Sequence, residues 1–384
     1  MMTTVLELTF WTCVALIGYA YVLYPMVVWG LSRVFGRRSA SPSMADVDLP
    51  RVSVLIAAHN EEEVIAGRIE NALALDYPPD RLEIVVASDG SSDETASIVR
   101  GLAEPRVRLL TSPLRRGKAP VLNAAFRVLR GEIVLLSDAN TFTDPDALRR
   151  MVRWFANPNV GVVCGRLVLT DRATGRNVDG LYWRYETFLK RCEGRLGALL
   201  GANGAIYAVR SSCFTGIRSD TIVDDLVIPL ITRLRSGCAI VYDDTAVARE
   251  ETPPDLRSEF RRRSRIGAGG FQSIVRLWRL LGPRQGWIAF TFLSHKVLRW
   301  LCPFWMIGAL ATNIALLPEP FYRMTLIGQL IGYGLSASGL IAGQQAPKLL
   351  RLATMFTTMN AALLVGFWLW ASGGQRGIWQ RTAR

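Results

Sequence analysis

Apolar residues in this chain are gathered at its two ends, and short apolar runs alternate with polar ones only between them. Residues 8–32 carry no charge, a stretch long enough to cross a hydrocarbon core, which needs about 20 residues. Pro25 lies inside it and is tolerated where neighbouring helices take up the freed carbonyl. Charge vanishes again in three windows, residues 300–318, 324–347 and 352–375, and each predicts a spanning helix.

Between residues 50 and 247 the pattern changes. The runs RVSVLIAA, LEIVVAS, RVRLLT, EIVLLSD and VGVVCGRLVL read as strands, separated by helical segments such as EEEVIAGRIENALAL and GKAPVLNAAFRVLR. Strand and helix in alternation predict an α/β fold, a mostly parallel sheet with helices on both faces. Ser91 with Glu94 fits a capping box, and Asp144 before Pro145 fits an N-cap. Ligands of such sheets collect at the carboxyl ends of strands. There the sequence delivers Asn60 and Glu61, then Asp89, then Asp138 and Asn140. Further on, FQSIVRLWRLL sets Phe271, Ile274, Val275, Trp278 and Leu281 on one helical face with Gln272, Arg276 and Arg279 opposite. This is the pattern of a basic helix lying in the membrane interface, with a buried core helix as the alternative.

Basic residues orient the spans. Arg33, Arg37 and Arg38 place the flank of the first helix, and the middle domain, in the cytoplasm. Lys348 and Arg351 read as inside and the loop at Glu319 as outside, whereas a tail with Arg376, Arg381 and Arg384 would end outside, against the rule. The expected division is an N-terminal helix and tether (1–45), a cytoplasmic α/β domain (46–268), interfacial helices (269–296) and about three C-terminal spans (297–384). The net charge of +13 comes largely from arginines beside the spans and in the cluster at 261–265, so membrane lipid and a diphosphate ligand account for it better than nucleic acid. Six cysteines without a CxxC pair indicate neither a disulfide scaffold nor a zinc site.

In order, AAHNEE (57–62), SDGSSD (88–93), RRGK (115–118), SDAN (137–140), GANGA (201–205), VDD (223–225) and RRRSR (261–265) resemble the motifs of the family 2 inverting glycosyltransferases, the group of the cellulose, chitin, hyaluronan and poly-N-acetylglucosamine synthases. The resemblance implies a GT-A fold in a multi-pass protein of the cell (inner) membrane, a UDP-sugar donor and Mg2+ or Mn2+. Sugar transfer from a nucleoside diphosphate needs the departing diphosphate neutralised, which a metal on oxygen ligands supplies. By resemblance Asp138 and Asn140 hold the metal, Asn140 standing where the family has a second Asp. Ala57, Asn60, Glu61, Asp89 and Lys118 fall at donor positions, Asn203 and Gly204 at the sugar pocket.

The acceptor hydroxyl must lose a proton, and Asp225 stands where the family carries its base, with Asp224 beside it on the acceptor side. Both also suit the first turn of a helix. Arg262 to Ile266 takes the place of Gln-x-x-Arg-Trp. Arg265 keeps an arginine suited to diphosphate, Arg262 replaces the glutamine, and Ile266 replaces the tryptophan that forms an acceptor platform. The expected reaction is inverting transfer of a hexosyl group, N-acetylglucosamine or glucose, to a saccharide acceptor, building an exported polysaccharide with a homo-oligomer or export partner. Loss of the aromatic platform supports non-processive transfer to a lipid-linked acceptor instead. A rival outside enzymology is a catalytically silent nucleotide-sugar sensor.

Overall fold

The computed structural model describes residues 1–37, 42, 44–170, 180–251, 256–343, 346–375 and 377, and the chain divides into two compact units. Arg38, Arg376, Arg381 and Arg384, used above for orientation, lie outside the described residues.

One unit comprises Val28–Pro254 with Arg276–Thr291. Its strands are β1 (Val52–Ala58), β2 (Leu82–Asp89), β3 (Val107–Ser112), β4 (Ile133–Asp138), β5 (Thr141–Thr143), β6 (Val160–Thr170), β7 (Tyr207–Arg210) and β8 (Ala239–Glu251). They form one mixed sheet in the order β3-β2-β1-β4-β7-β6-β8-β5. β1 pairs in parallel with β2 and β4, β2 with β3, and β6 with β8, while β7 runs antiparallel to β4 and β6, and β5 antiparallel to β8. All seven residues of β1 are buried, as expected of a parallel strand covered on both faces. The five sequence runs read as strands are strands. Successive strands are laid down to one side of β1 and then, with β4, to the other, and this reversal opens a crevice at their carboxyl ends. The register sets Ala57 beside Ala87 on β2 and Asp138 on β4.

Two helix starts differ from expectation. The helix Thr95–Gly101 begins one residue after Glu94, and Asp93 Oδ1, not a Ser91 capping box, accepts the Thr95 backbone N–H at 3.1 Å. Ser91 instead receives the backbone N–H of Asn60 at 3.2 Å. The helix Ala147–Val152 starts after Asp146, and the Asp144 carboxylate is paired with Arg249 at 3.0 Å. In both places a tertiary partner outcompetes the local cap.

The other unit, Met1–Val27, Asp255–Val275 and Phe292–Gln375, is helical and apolar. Met2–Val34, Pro320–Ala342 and Lys348–Ala371 are long and apolar enough to cross a membrane. Pro25 sits in the first turn after a π-helical stretch, Tyr19–Leu23, where its missing N–H is absorbed. The window 300–318 does not make a straight span. Its helix, Cys302–Ala315, rises only about 21 Å, and it meets Trp287–Trp300 at a bend of 54°.

The amphipathic face predicted at 271–281 is also corrected. The helix Leu256–Arg276 ends before Trp278, so the 3.6-residue period fails there. Phe271 is buried among Phe304, Phe367 and Trp370, and Gln272 is buried too. Val275 and Trp278 are exposed, and Leu277 and Leu280 take the buried positions instead.

Candidate active site

Three strand-end loops are stitched into one floor. Asn60, after β1, adopts a left-handed φ of 55°, which its short polar side chain tolerates, and its Oδ1 accepts the Ser92 N–H at 2.9 Å. The Glu61 N–H donates to Thr95 Oγ1 at 2.8 Å and the Glu62 N–H to Asp93 Oδ2 at 3.2 Å. His59 Nδ1 lies 2.7 Å from the Asp89 carbonyl. Asp89 is fully buried, and its two carboxylate oxygens accept the backbone N–H groups of Arg116 at 2.7 Å and Gly117 at 2.8 Å. The SDGSSD loop and RRGK are thereby held together. Gly90 is required at this junction, since it has a φ of 60° and a Cβ there would stand 2.5 Å from the Arg115 nitrogen.

From that floor the helix Lys118–Phe126 presents Lys118, whose ammonium bridges Asp138 Oδ1 at 2.8 Å and Asp224 Oδ2 at 3.2 Å. Tyr207 on β7, fully buried, donates to the same Asp224 oxygen at 3.4 Å. Burial alone would favour the neutral amine of Lys118, yet the carboxylates of Asp138 and Asp224 outweigh it and raise its pKa.

Asp224 and Asp225 open the helix Asp224–Ser236, and no side chain caps it. The loop GANGA wraps Asp225. The Ala202 N–H donates to its backbone carbonyl at 2.8 Å, and the Gly204 N–H to Oδ2 at 3.1 Å. A Cβ built on Gly204 would lie 3.3 Å from Asp138 Oδ2 and 3.4 Å from Asp225 Oδ2. The two carboxylates therefore face each other across a glycine. Burial, followed by the charge of Asp224, raises the Asp225 pKa, while Lys118 and Lys190 oppose the rise.

Lys190, on the helix Leu181–Arg195, was not singled out by the sequence. Its ammonium donates to Asn203 Oδ1 and, at 3.4 Å, to the Ala202 carbonyl, while Asn203 Nδ2 donates to the Gly165 carbonyl at 2.9 Å. It anchors GANGA through Ala202 and Asn203. Its signal was rarity, being one of four lysines against 41 arginines.

Asn140 donates its amide nitrogen to Glu250 at 3.0 Å, which leaves the amide oxygen as its ligand atom. Among the described residues no group of three His, Cys, Asp or Glu side chains could hold a metal alone. One carboxylate oxygen of Asp138, facing Gly204, and one amide oxygen instead suit a hard cation that takes its other ligands from phosphates and water. Arg262 and Arg265 lie on the helix Leu256–Arg276 of the other unit, where Arg262 pairs with Glu259 at 3.2 Å.

Residues 53–212 match the model of Glycosyl transferase family 2, and residues 133–369, more than half of the chain, match Glycosyl transferase family group 2. The chain belongs to the family 2 glycosyltransferases. It is 27% identical over 74% of its length to a beta-monoglucosyldiacylglycerol synthase of Synechocystis sp., spanning 64% of that protein, and 26% identical over 89% of its length to the synthase of the same name from Trichormus variabilis, spanning 74% of it. It is 28% identical over 60% of its length to the poly-beta-1,6-N-acetyl-D-glucosamine synthase of Staphylococcus aureus, spanning 57% of that protein. The mannosyltransferase PcManGT from Pyrobaculum calidifontis, solved with GDP-Man and Mn2+, superposes with a TM-score of 0.75 at 23% identity, covering 96% of this chain and all of that one. This family 2 enzyme thus has a GT-A fold.

Proposed function

We propose that this glycosyltransferase moves a hexosyl group, glucose or N-acetylglucosamine, from a UDP-sugar with inversion to a hydroxyl of a lipid acceptor at the cytoplasmic face of the cell membrane. The observation that carries the reading is the pair Asp138 and Asp225 facing one another across Gly204. One carboxylate serves the donor and the other the acceptor, separated by a residue with no side chain to fill the gap.

Asp225 Oδ2, oriented by the Gly204 N–H, accepts the proton of the acceptor hydroxyl. The hydroxyl oxygen forms a bond to the anomeric carbon from the face opposite the diphosphate. The bond from that carbon to the phosphate oxygen breaks, and the nucleoside diphosphate leaves with the electron pair. Lys118 holds Asp138 and Asp224 apart and in place at 2.8 and 3.2 Å. Asp138 and Asn140 would hold Mg2+ or Mn2+, which neutralises the diphosphate when bound. Ala57, Asn60, Glu61 and the loop set by Asp89 are assigned to the donor, and Asn203 and Gly204 to the sugar.

The lipid acceptor is favoured over a growing polysaccharide because Ile266 offers no aromatic surface for a terminal sugar, and because the two glucolipid synthases match more of the chain than the poly-N-acetylglucosamine synthase does. The test is turnover of UDP-glucose, UDP-N-acetylglucosamine and GDP-mannose by the purified protein with Mn2+ or Mg2+, with diacylglycerol or a short oligosaccharide as acceptor. One sugar added to the lipid, and lost in Asp225→Asn, is expected. Long saccharide products would replace the lipid reading with the synthase, and donor binding without release in membrane extract would replace both with a sensor.

A further inference from the structure

The unit of apolar helices carries a partly open, mostly apolar cavity of about 270 Å3 that the transfer chemistry does not use. Four helices line it: Val14 and Ile17 from the first, Met306 and Ala309 from Cys302–Ala315, Tyr333 from Pro320–Ala342, and Phe356 from Lys348–Ala371. Gly332 also lines it, and a Cβ there would meet no atom within 4 Å. Gln329 and Thr357 add two polar side chains to walls that are otherwise mostly apolar, so hydrocarbon suits the space better than water.

One turn beyond the cavity, past Ile17 and Phe356, the packing becomes polar. The Phe356 carbonyl accepts from Asn360 Nδ2 at 2.9 Å, and Asn360 Oδ1 accepts from Tyr21 OH at 3.3 Å, with the Tyr21 and Phe356 rings 5.0 Å apart. The Arg299 guanidinium lies 5.4 Å over the Tyr21 ring and 3.3 Å from His295 Nε2. His295, Arg299 and Asn360 are all buried. Two π-helical stretches meet here, Tyr19–Leu23 and Phe292–Val297, joined by Tyr19 OH and Ser294 Oγ at 2.7 Å. Such windings recur at binding sites because they re-aim side chains out of the regular ladder. From Phe292 to Ala371 the sequence holds Lys296, Arg299, Arg323, Lys348 and Arg351 against the single acid Glu319. Ionisable groups inside a membrane bundle mark ligand sites by default, and this excess favours an anion.

We propose that this cavity and its polar end form a binding site for one anionic glycerophospholipid, the acyl chain between the four helices and the phosphate at Arg299, Tyr21 and Asn360. An arginine suits a phosphate because its planar fork can donate twice to the same group. The site stands whichever acceptor the catalytic unit uses.

The test uses the full-length protein in phosphatidylcholine nanodiscs, with phosphatidylglycerol bearing a diazirine midway along one acyl chain as the probe. Phosphatidylcholine with the same chain is the control, and labelled peptides are mapped by mass spectrometry. Labelling by phosphatidylglycerol is expected at Met306, Tyr333 and Phe356, about tenfold above labelling at the outward-facing Ile341 and Trp368. Gly332→Leu, which fills the space, should remove that excess, and Arg299→Gln should reduce it to the phosphatidylcholine level. Equal labelling of inner and outer positions, unchanged by Gly332→Leu, would overturn the site, and equal capture of the two lipids by the wild type would overturn the anionic head group. Competition by unlabelled phosphatidylglycerol on the unmodified protein should erase the excess, and its failure to do so would count against the site independently of how the variants fold.

Discussion

Gly204 donates its backbone N–H to Asp225 Oδ2 over 3.1 Å, so the residue without a side chain both opens the space before the proposed base and aims it. Gly204→Ala would press a methyl group between Asp225 and Asp138, at 3.4 and 3.3 Å, tight enough that one carboxylate must shift. The expected result is a fall in kcat of about 100-fold, the scale on which small misplacements act, with little change in Tm. Steady-state release of UDP and a thermal melt measure the two.

Asp225→Asn should cut kcat by roughly 100- to 10,000-fold, the usual contribution of a general base. It should also raise Tm. The folded pKa of Asp225 lies above its unfolded value, so the stability it contributes is full below the unfolded pKa and is lost as pH rises through the folded one. At neutral pH its charge is a cost that the amide avoids. A Tm unchanged or lowered would contradict the assigned burial.

Lys190→Met should move the acid limb of the kcat/KM profile to higher pH, because the Lys190 charge opposes the upward shift of Asp225. Lys190→Arg should restore the limb. A purely structural role would lower activity at every pH without moving the limb.

Lys118→Met leaves Asp138 and Asp224 facing each other uncompensated, and the loss should be about 3 kcal/mol, the low end for a broken buried pair, since a third of Asp138 is exposed. In the native protein the raised Lys118 pKa means this stabilisation is present throughout neutral pH and is lost only in strong alkali, above the ordinary lysine range. Denaturant titration of the two proteins at neutral pH compares them directly.

Asp89→Ala orphans the N–H groups of Arg116 and Gly117, at about 1–3 kcal/mol each. Trypsin should then cut after Arg115 or Arg116 in the folded protein much faster than in the wild type. Equal cutting rates would show that the loop is held by other contacts.

The strands and the acids at their ends were legible because parallel strands buried on both faces read as continuous apolar runs and ligand groups follow them directly. The predicted interfacial helix at 271–281 was misread because a period of 3.6 carries information only while the helix continues, and this one stops at Arg276. The capping box at Ser91 failed for a related reason: Ser91 meets Asn60, thirty-one residues away, and Asp93 does the capping. Lys190 escaped notice because a lysine on a helix looks like any solvated charge until the loop it holds is seen.

By itself the sequence determined the alternation of strand and helix, the apolar ends, and the seven motifs, since periodicity, hydropathy and the chemistry of strand ends are all local. Only the tertiary structure decided that Lys118 bridges Asp138 and Asp224, that Gly204 separates Asp138 from Asp225, and that Lys190 braces the loop between. Those partners are brought together by the fold from positions 12 to 106 residues apart, and no local pattern encodes a distance across a fold.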